Sequence, residues 1–542
     1  MKNKYIKLVG LCMLLTATSC NDFLDTLPDS RTTINTPKQV SQLLLTAYPN
    51  CNYSLMCELS SDNFEDNNAP NDKGVYFNLS SKDRIHDEIF AWEEAKSSND
   101  NDSPSSLWEG YYNSISVTNQ ILVAIDKLIE QGTKPEELMP QKGEALLCRA
   151  YAHFMLVNLF AQAYINDNLS ATEIGIPYIT APETIVFGKY EREPVATIYK
   201  KIEADLLAGL SLISDNAYSK NSVKYHFTKK AAQAFASRFY LYKRDYPKVV
   251  EYATEVLGKS PLSMMRDYTI QYSSLETAGY GYINPQENSN LLLIATNSTF
   301  SRVAGSRYGC HGEGFIHDGG PTWNYTFHPC FEGLMFYSVN QDYGSMLTKV
   351  HEMFEYTDKV AGIGYPHIVR AEFTAEETLL CRAEAYIYLN KIDDAVADFE
   401  IWNSGKRVPN KPDVKIGTMS KKLIQDYYVP SKISMVKKLH TAELDPQFII
   451  TPEQEPFIQC LLHLRRIETA FEGLRWFDIK RYGIEIEHKI GTKRKEVLKA
   501  KDYRKAFQIP QEVIGSGMQE NLRNPDDTGE NKIVNGPLYT GK

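Results

Sequence analysis

Glu377–Phe399, ETLLCRAEAYIYLNKIDDAVADF, decides the reading of this chain, because other parts of the sequence echo it. Glu144–Phe154 reads EALLCRAYAHF, so the core LLCRA stands at Leu146–Ala150 and again at Leu379–Ala383. A third version, Ser237–Ala253, aligns without gaps on Ala383–Phe399 and places Tyr240 on Tyr386, Tyr242 on Tyr388 and Val250 on Val396. Repetition of this kind means that one supersecondary unit is used several times. Within the unit, Leu379, Leu380, Ala383 and Ile387 fall on one stripe of an amphipathic helix. Ala383 and Ala385 are small enough to let a second helix approach. Asn390–Asp393 is a polar break, and Ala395, Val396 and Phe399 supply the facing stripe of a return helix. A helical pair that cannot bury its faces alone, and recurs, follows the logic of tetratricopeptide arrays. The expected fold is therefore mostly α, a scaffold of tetratricopeptide-like helical hairpins with little β.

Composition narrows the function classes. The 542 residues carry a net charge of −9, which argues against a nucleic-acid partner, since that needs a basic face. Hydrophobic content of 43% is ample for a core, and tyrosine is abundant at 34 residues. Tyrosine packs well and also suits surfaces that meet wet, polar ligands. At the N-terminus, Lys2, Lys4 and Lys7 precede an apolar stretch, Leu8–Leu15, that is too short to span a bilayer. Ala17-Thr18-Ser19 then leads into Cys20. Small residues before a cysteine at this point resemble a bacterial lipobox, with Cys20 acylated as the mature N-terminus. Residues 1–19 read as a lipoprotein signal peptide and the body as lipid-anchored. Of the nine cysteines, Cys148 and Cys381 sit in the repeated apolar stripe as buried thiols. Cys51 with Cys57, or Cys310 with Cys330, are available for pairing, but no disulfide framework is evident and mostly free thiols are expected.

Along the chain, Pro37 opens a helical pattern through Tyr48, and Glu58–Asp72 reads as loop. A long helix is expected over Leu107–Gln131, and the next runs from Pro140 to about Tyr164. Pro194 stands at a helix start, Thr228 caps the second repeat, and its return helix ends near Gly258. Residues 259–373 break the pattern as a loop-rich insertion with one possible strand, Asn290–Thr296. Loops this long are usually functional. A last helix carries Leu462–Gly483.

Taken together, these segments resemble the SusD/RagB family of Bacteroidetes outer-membrane lipoproteins. The resemblance rests on Cys20 followed by Asp22-Phe23-Leu24-Asp25, the Trp108–Asn119 helix, GEALLCRAYAHFMLVNLF at Gly143–Phe160 and IYKKIEADL at Ile198–Leu206. It continues through KKAAQAFASRFYLY at Lys229–Tyr242, Arg465–Glu468 with Phe471–Arg481, and Gln508-Ile509-Pro510. Thr469 departs from the family's usual acidic or apolar residue. The resemblance implies one domain over 20–542, with helical repeats within 107–258 and 374–483 and a ligand-side insertion at 259–373. It further implies a cell-surface binding protein, not an enzyme, that delivers an oligosaccharide to a SusC-like TonB-dependent transporter. A peptide ligand in the same assembly, or a non-enzymatic interaction scaffold, is the alternative. No cofactor is implied.

Arg465, Glu468, Glu472, Arg475 and Asp478, taken as one helix face, read as reciprocal ion pairs rather than as catalytic groups. Cys310-His311, His317-Asp318, His328 and Cys330 match no standard zinc spacing, so no metal is expected. The aromatics of the insertion, Tyr280, Tyr282, Trp323 and Tyr325, are the candidates for ligand contact, because sugar C–H faces stack on such rings. Family analogy adds the loops at Asp62-Asn63 and after Trp92. The same aromatics would also serve to pack the insertion onto the helices.

Overall fold

The computed structural model describes residues 34–71, 73–183, 188–218, 222–268, 270, 272–303, 305–311, 320–322, 343–406, 417–431 and 436–523. Cys20, Trp323, Tyr325, His317, Asp318, His328 and Cys330 lie outside them.

The first helices are α1 (Pro37–Leu44) and α2 (Ser54–Ser60). Thr36 caps α1 and Pro37 occupies its first turn, but the helix stops short of Tyr48. All of α2 is buried, so it shows none of the one-sided periodicity that marks a surface helix. That is why part of it falls in the stretch expected to be loop. A two-residue strand, β1 (Glu65–Asp66), and α3 (Arg84–Phe90) follow. The long helix expected from the sequence is α4 (Pro104–Glu130), started by a Ser103–Ser106 capping box.

Next come α5 (Met139–Phe160) and α6 (Val195–Leu212), which pack together across a pair of glycines. A Cβ on Gly209 would lie 2.9 Å from the Gly143 carbonyl oxygen, so both positions need glycine for the close approach. The second repeat is α7 (Lys229–Lys243) and α8 (Tyr246–Leu257), with Thr228 Oγ1 accepting from the Ala231 N–H at 3.1 Å.

Residues 259–373 contain α9 (Leu275–Tyr282), β2 (Asn290–Asn297), β3 (Tyr308–Gly309), β4 (Met353–Asp358) and most of β5 (Ile363–Thr374). Strands β2, β5 and β4 form an antiparallel sheet in that order, and β1 pairs with β3. The described part of the insertion thus includes a small sheet, of which the sequence showed one strand, Asn290–Thr296. Strand β5 runs without a break into α10 (Ala375–Tyr388), whose N-cap is the strand's own last residue, Thr374. Helix α11 (Ile392–Gly405) completes the third repeat.

Helix α10 carries the opening motif and is the hub of the helical body. It packs against α7, α8, α11 and α14 (Glu455–Glu468), and Leu379, Leu380, Cys381, Ala383, Ala385 and Ile387 are fully buried. The turns of the two aligned hairpins also agree. Arg244 and Asn390, equivalent in the gapless alignment, both adopt left-handed backbone, with φ of 63° and 57°.

Before α14 lie the short helices α12 (Lys421–Tyr427) and α13 (Thr441–Leu444). The single helix expected over Leu462–Gly483 is instead two, α14 and α15 (Leu474–Tyr482). They are separated by a turn in which Phe471 and Gly473 have φ of 67° and 80°. Gly473 sits where a Cβ would be 3.0 Å from Cys57 Cβ and from Ser54 Cα, so α2 packs directly on the turn. The chain closes with the hairpin β6 (Ile486–Ile490) and β7 (Arg494–Leu498), then α16 (Gln511–Gly515).

This C-terminal part caps the end of α5, whose last carbonyls have no intrahelical partner. Lys480 Nζ donates to the Asn158 oxygen and, at 2.8 Å, to that of Ala161. The Phe507 N–H reaches Leu159 at 2.9 Å, and Asn521 Nδ2 reaches Phe160 at 2.8 Å. Among the described cysteines, Cys51, Cys57, Cys148, Cys310, Cys381 and Cys460 are all buried free thiols.

Candidate ligand-binding surface

The arginine-rich motif forms an ion-pair network, but one that spans a turn rather than one helix face. Asp478 accepts from Arg465 at 2.9 Å and from Arg481 at 2.7 Å, and Arg481 also grips Glu384 of α10 at 2.7 Å. Arg475 makes a bidentate pair with Asp62 at 2.8 and 3.0 Å, while Arg466 Nε donates to Asn63 Oδ1 at 2.7 Å. Glu468 pairs with Lys406 at 2.7 Å and accepts from Trp402 Nε1 at 2.8 Å. Glu472 pairs with Lys349 at 2.7 Å.

Burial alone would raise the pKa of Asp62, but the Arg466 and Arg475 guanidiniums outweigh it and hold the carboxyl well below the usual range. Asp478 is likewise depressed, with burial outweighed by Arg465 and Arg481. At Glu58 burial outweighs the pull of Arg466. Burial pushes it up to about 7, against hydrogen bonds from Asn63 and the Gly473 N–H. These charges hold the C-terminal helices to α2, α10 and the insertion.

Four candidate residues belong to this interior rather than to an open surface. Asp62 and Asn63 are held by the arginines just described. Trp92 is 3% exposed, donates Nε1 to the Ser60 oxygen at 2.9 Å and stacks on His488 with ring centres 4.1 Å apart. Tyr282 is 4% exposed, lies under the Arg266 guanidinium at 4.1 Å and donates its hydroxyl to Glu472 at 2.6 Å. Their polar atoms are used up fixing the backbone of residues 58–66 and the end of α9. Asn63, Trp92 and Tyr282 are thus buried, and Asp62 is half-buried with both carboxylate oxygens on Arg475. Tyr280, two residues earlier in α9, is 49% exposed and meets His351 edge-on at 5.6 Å.

A second exposed aromatic position escaped sequence reasoning. Tyr76 is 55% exposed at the tip of the loop 67–80, next to exposed Val75. The loop is braced by its own amides: Asn68 exchanges two bonds with Leu79 at 2.8 and 2.9 Å, and Asn71 Oδ1 accepts from the Val75 N–H at 3.0 Å. Phe77 meets Tyr343 edge-on at 4.8 Å, and Asn67 bonds His311 at 2.7 Å and the Tyr343 oxygen at 3.2 Å. Arg307 ties the base down through Asp66 at 2.7 Å. The readable signal was Val75-Tyr76-Phe77, an aromatic cluster inside an asparagine-rich stretch, where aromatics have no helix or strand to pack. A loop braced by its own amides, with an exposed ring, can hold a polar ligand with apolar faces. Among the described residues no group of His, Cys, Asp and Glu is arranged to hold a metal ion.

Residues 22–241 match a SusD-like family model described as starch-binding and associating with the outer membrane. Residues 335–534 match the SusD family model. No curated protein sequence matches the chain. Among solved structures, a SusD superfamily protein from Bacteroides thetaiotaomicron shares 20% identity over 91% of this chain and 100% of its own, with a TM-score of 0.57. One from Bacteroides fragilis shares 16% over 90% and 99%, with a TM-score of 0.60. A laminarin-binding SusD-like protein shares 14% over 89% and 98%, with a TM-score of 0.54. At these identities the superpositions speak to the fold, which is the helical-repeat fold built here around α10. Joined with the two family models, which follow one another along most of the sequence, they lead to one assignment: the chain belongs to the SusD/RagB family.

Proposed function

We propose that this chain is a cell-surface lipoprotein that binds an oligosaccharide or polysaccharide and delivers it to a SusC-like TonB-dependent outer-membrane transporter. The observation that carries the reading is the match of residues 22–241 to a family described as starch-binding and associating with the outer membrane. The exposed rings of Tyr76, in an asparagine-rich loop, and Tyr280, beside His351, support it, because stacking on C–H faces plus hydrogen bonds to hydroxyls is how proteins hold sugars. The anchor is assigned to Cys20, the first residue after a signal peptide at 1–19, and 20–542 acts as one unit. No helix among the described residues is long and apolar enough to cross a membrane. The protein acts by binding, without a cofactor, and leaves its ligand chemically intact. Its network carboxylates are committed to arginine and lysine partners, which supports a scaffold role for them.

The test is electrophoresis of the full chain, solubilised in detergent, through native gels cast with plant, microbial and host polysaccharides. Retardation by at least one polymer, with no new reducing ends, is the expected result. Failure of every polymer to retard the protein, or cleavage of one, overturns the reading. Retention on peptides alone would transfer the role to a peptide ligand.

A further inference from the structure

A concave site lies on the three-stranded sheet, and its lining does not include Tyr76. The register sets Asn297 of β2 and Met353 of β4 on either side of His367 in β5, and Glu355 opposite Tyr365. Residues paired across an antiparallel ladder share a face, and positions two apart along a strand share it as well. Asn297, His367, Tyr365 and Glu355 therefore project from one side of the sheet, joined by exposed Ala295. The segment leading into α2 closes one end: the Asn297 N–H donates to the Asn50 oxygen at 2.6 Å, which fixes Asn50 at the rim. Together with Thr296 these residues line a cavity of about 310 Å³, at the lower end of the range of roughly 300–1,000 Å³ usual for small-ligand sites.

The lining has the chemistry of a sugar site. Tyr365 offers a partly exposed ring, set across the ladder from Glu355. Two asparagine amides and the Glu355 carboxylate offer donors and acceptors for hydroxyls. His367 Nδ1 is buried without a hydrogen-bond partner, an arrangement that costs free energy unless something else bonds it. None of these groups belongs to the ion-pair network, and none is needed to close the sheet, whose ladder is made by backbone.

We propose that this groove is a second saccharide site, taking one sugar unit or a disaccharide with its C–H face on Tyr365 and its hydroxyls on Asn50, Asn297, Glu355 and His367. The inference rests on the glycan-binding reading and extends it. One polymer chain held at two places on a single molecule gains avidity without any new contact.

The test uses the full chain labelled with ¹³C at histidine and titrated with glucose, galactose, mannose, xylose, arabinose, fucose, maltose, cellobiose and laminaribiose at millimolar concentration. His367→Gln assigns the His367 ring resonance. The expected result is a saturable shift of that resonance with at least one sugar. Tyr365→Ala and Ala295→Trp, which fills the groove from β2, should both abolish it, and Tyr365→Phe should keep it. In the polysaccharide gel, Tyr365→Ala should weaken retention roughly fivefold without abolishing it. No shift with any sugar, while a polysaccharide still retards the wild type, overturns the second site and leaves the main reading standing. A shift that persists in both blocking variants overturns it too. A shift without polysaccharide retardation upholds the groove and overturns polymer capture. Neither response overturns both.

Discussion

At the scale of single residues, the molecule is held by long side chains that reach unpaired backbone or carboxylate groups. Lys480 is the clearest. Its ammonium serves two carbonyls at the end of α5, and burial pushes its pKa down to about 7. Lys480→Met keeps the stem's volume but strands both oxygens, so unfolding free energy should fall by about 1–3 kcal/mol per stranded group in denaturant titration. Arg238 of α7 holds Glu372 at 2.7 Å and Glu377 at 3.1 Å, all three nearly inaccessible to solvent. Arg238→Met would leave the buried Glu377 carboxylate without its cation, while Glu372 keeps Arg370 at 2.7 Å, and a loss of about 3–5 kcal/mol is expected by the same measurement. Glu58 gives the pH dependence. Its folded pKa of about 7 lies above the ordinary 4.5, so its contribution is fully present below the ordinary value and lost as pH rises through about 7. Thermal melts of Glu58→Gln should therefore show a smaller decline in Tm than wild type between about pH 5 and pH 8. The sequence shows such residues as charges on helical stripes. Which carbonyl or carboxylate each one meets depends on contacts hundreds of positions away, as with Arg475 and Asp62.

At the scale of elements, the repeats were legible because their signals are local. A capping serine or threonine, a proline in the first turn and an apolar stripe predicted α4 to α8, α10 and α11 to within a few residues. The misses have equally local causes. Helix α2 hides because every face is buried. Strand β5 hides because Pro366, which lacks an N–H, sits within it at the position paired with Phe354. The break between α14 and α15 hides because it depends on Phe471 adopting a backbone conformation that its side chain disfavours. The matched left-handed turns lead to a prediction at this scale. Asn390→Gly should be tolerated, whereas Asn390→Val, β-branched at the same φ, should cost about 1–2 kcal/mol in chemical denaturation. In both hairpins the turn conformation, rather than the identity of the residue, is what the packing of α8 and α11 requires.

At the scale of the whole molecule, the helical body was readable and the binding surface was not. Asp62, Asn63, Trp92 and Tyr282 carry the right chemistry for a sugar, but chemistry does not tell which way a side chain points, and Asn63, Trp92 and Tyr282 are buried. Tyr76, by contrast, lies in a stretch that composition marks only as loop. Because the chain carries a net charge of −9 and binding is assigned to rings and amides, retention of a neutral polysaccharide should be nearly independent of ionic strength. Gel retardation at low and physiological salt checks this, and a steep salt dependence would point to charged recognition. The buried thiols carry a different consequence. Burial pushes Cys51 and Cys460 up to about 12, and Cys57, Cys148, Cys310 and Cys381 are raised as well, so all six are nearly inert to alkylation while the fold is closed. Each becomes reactive only when its own element opens, which makes the set a built-in array of clocks. Cys381, at the centre of α10, should be the slowest to label. Cys310, next to the two-residue pairing of β1 with β3, should be among the fastest.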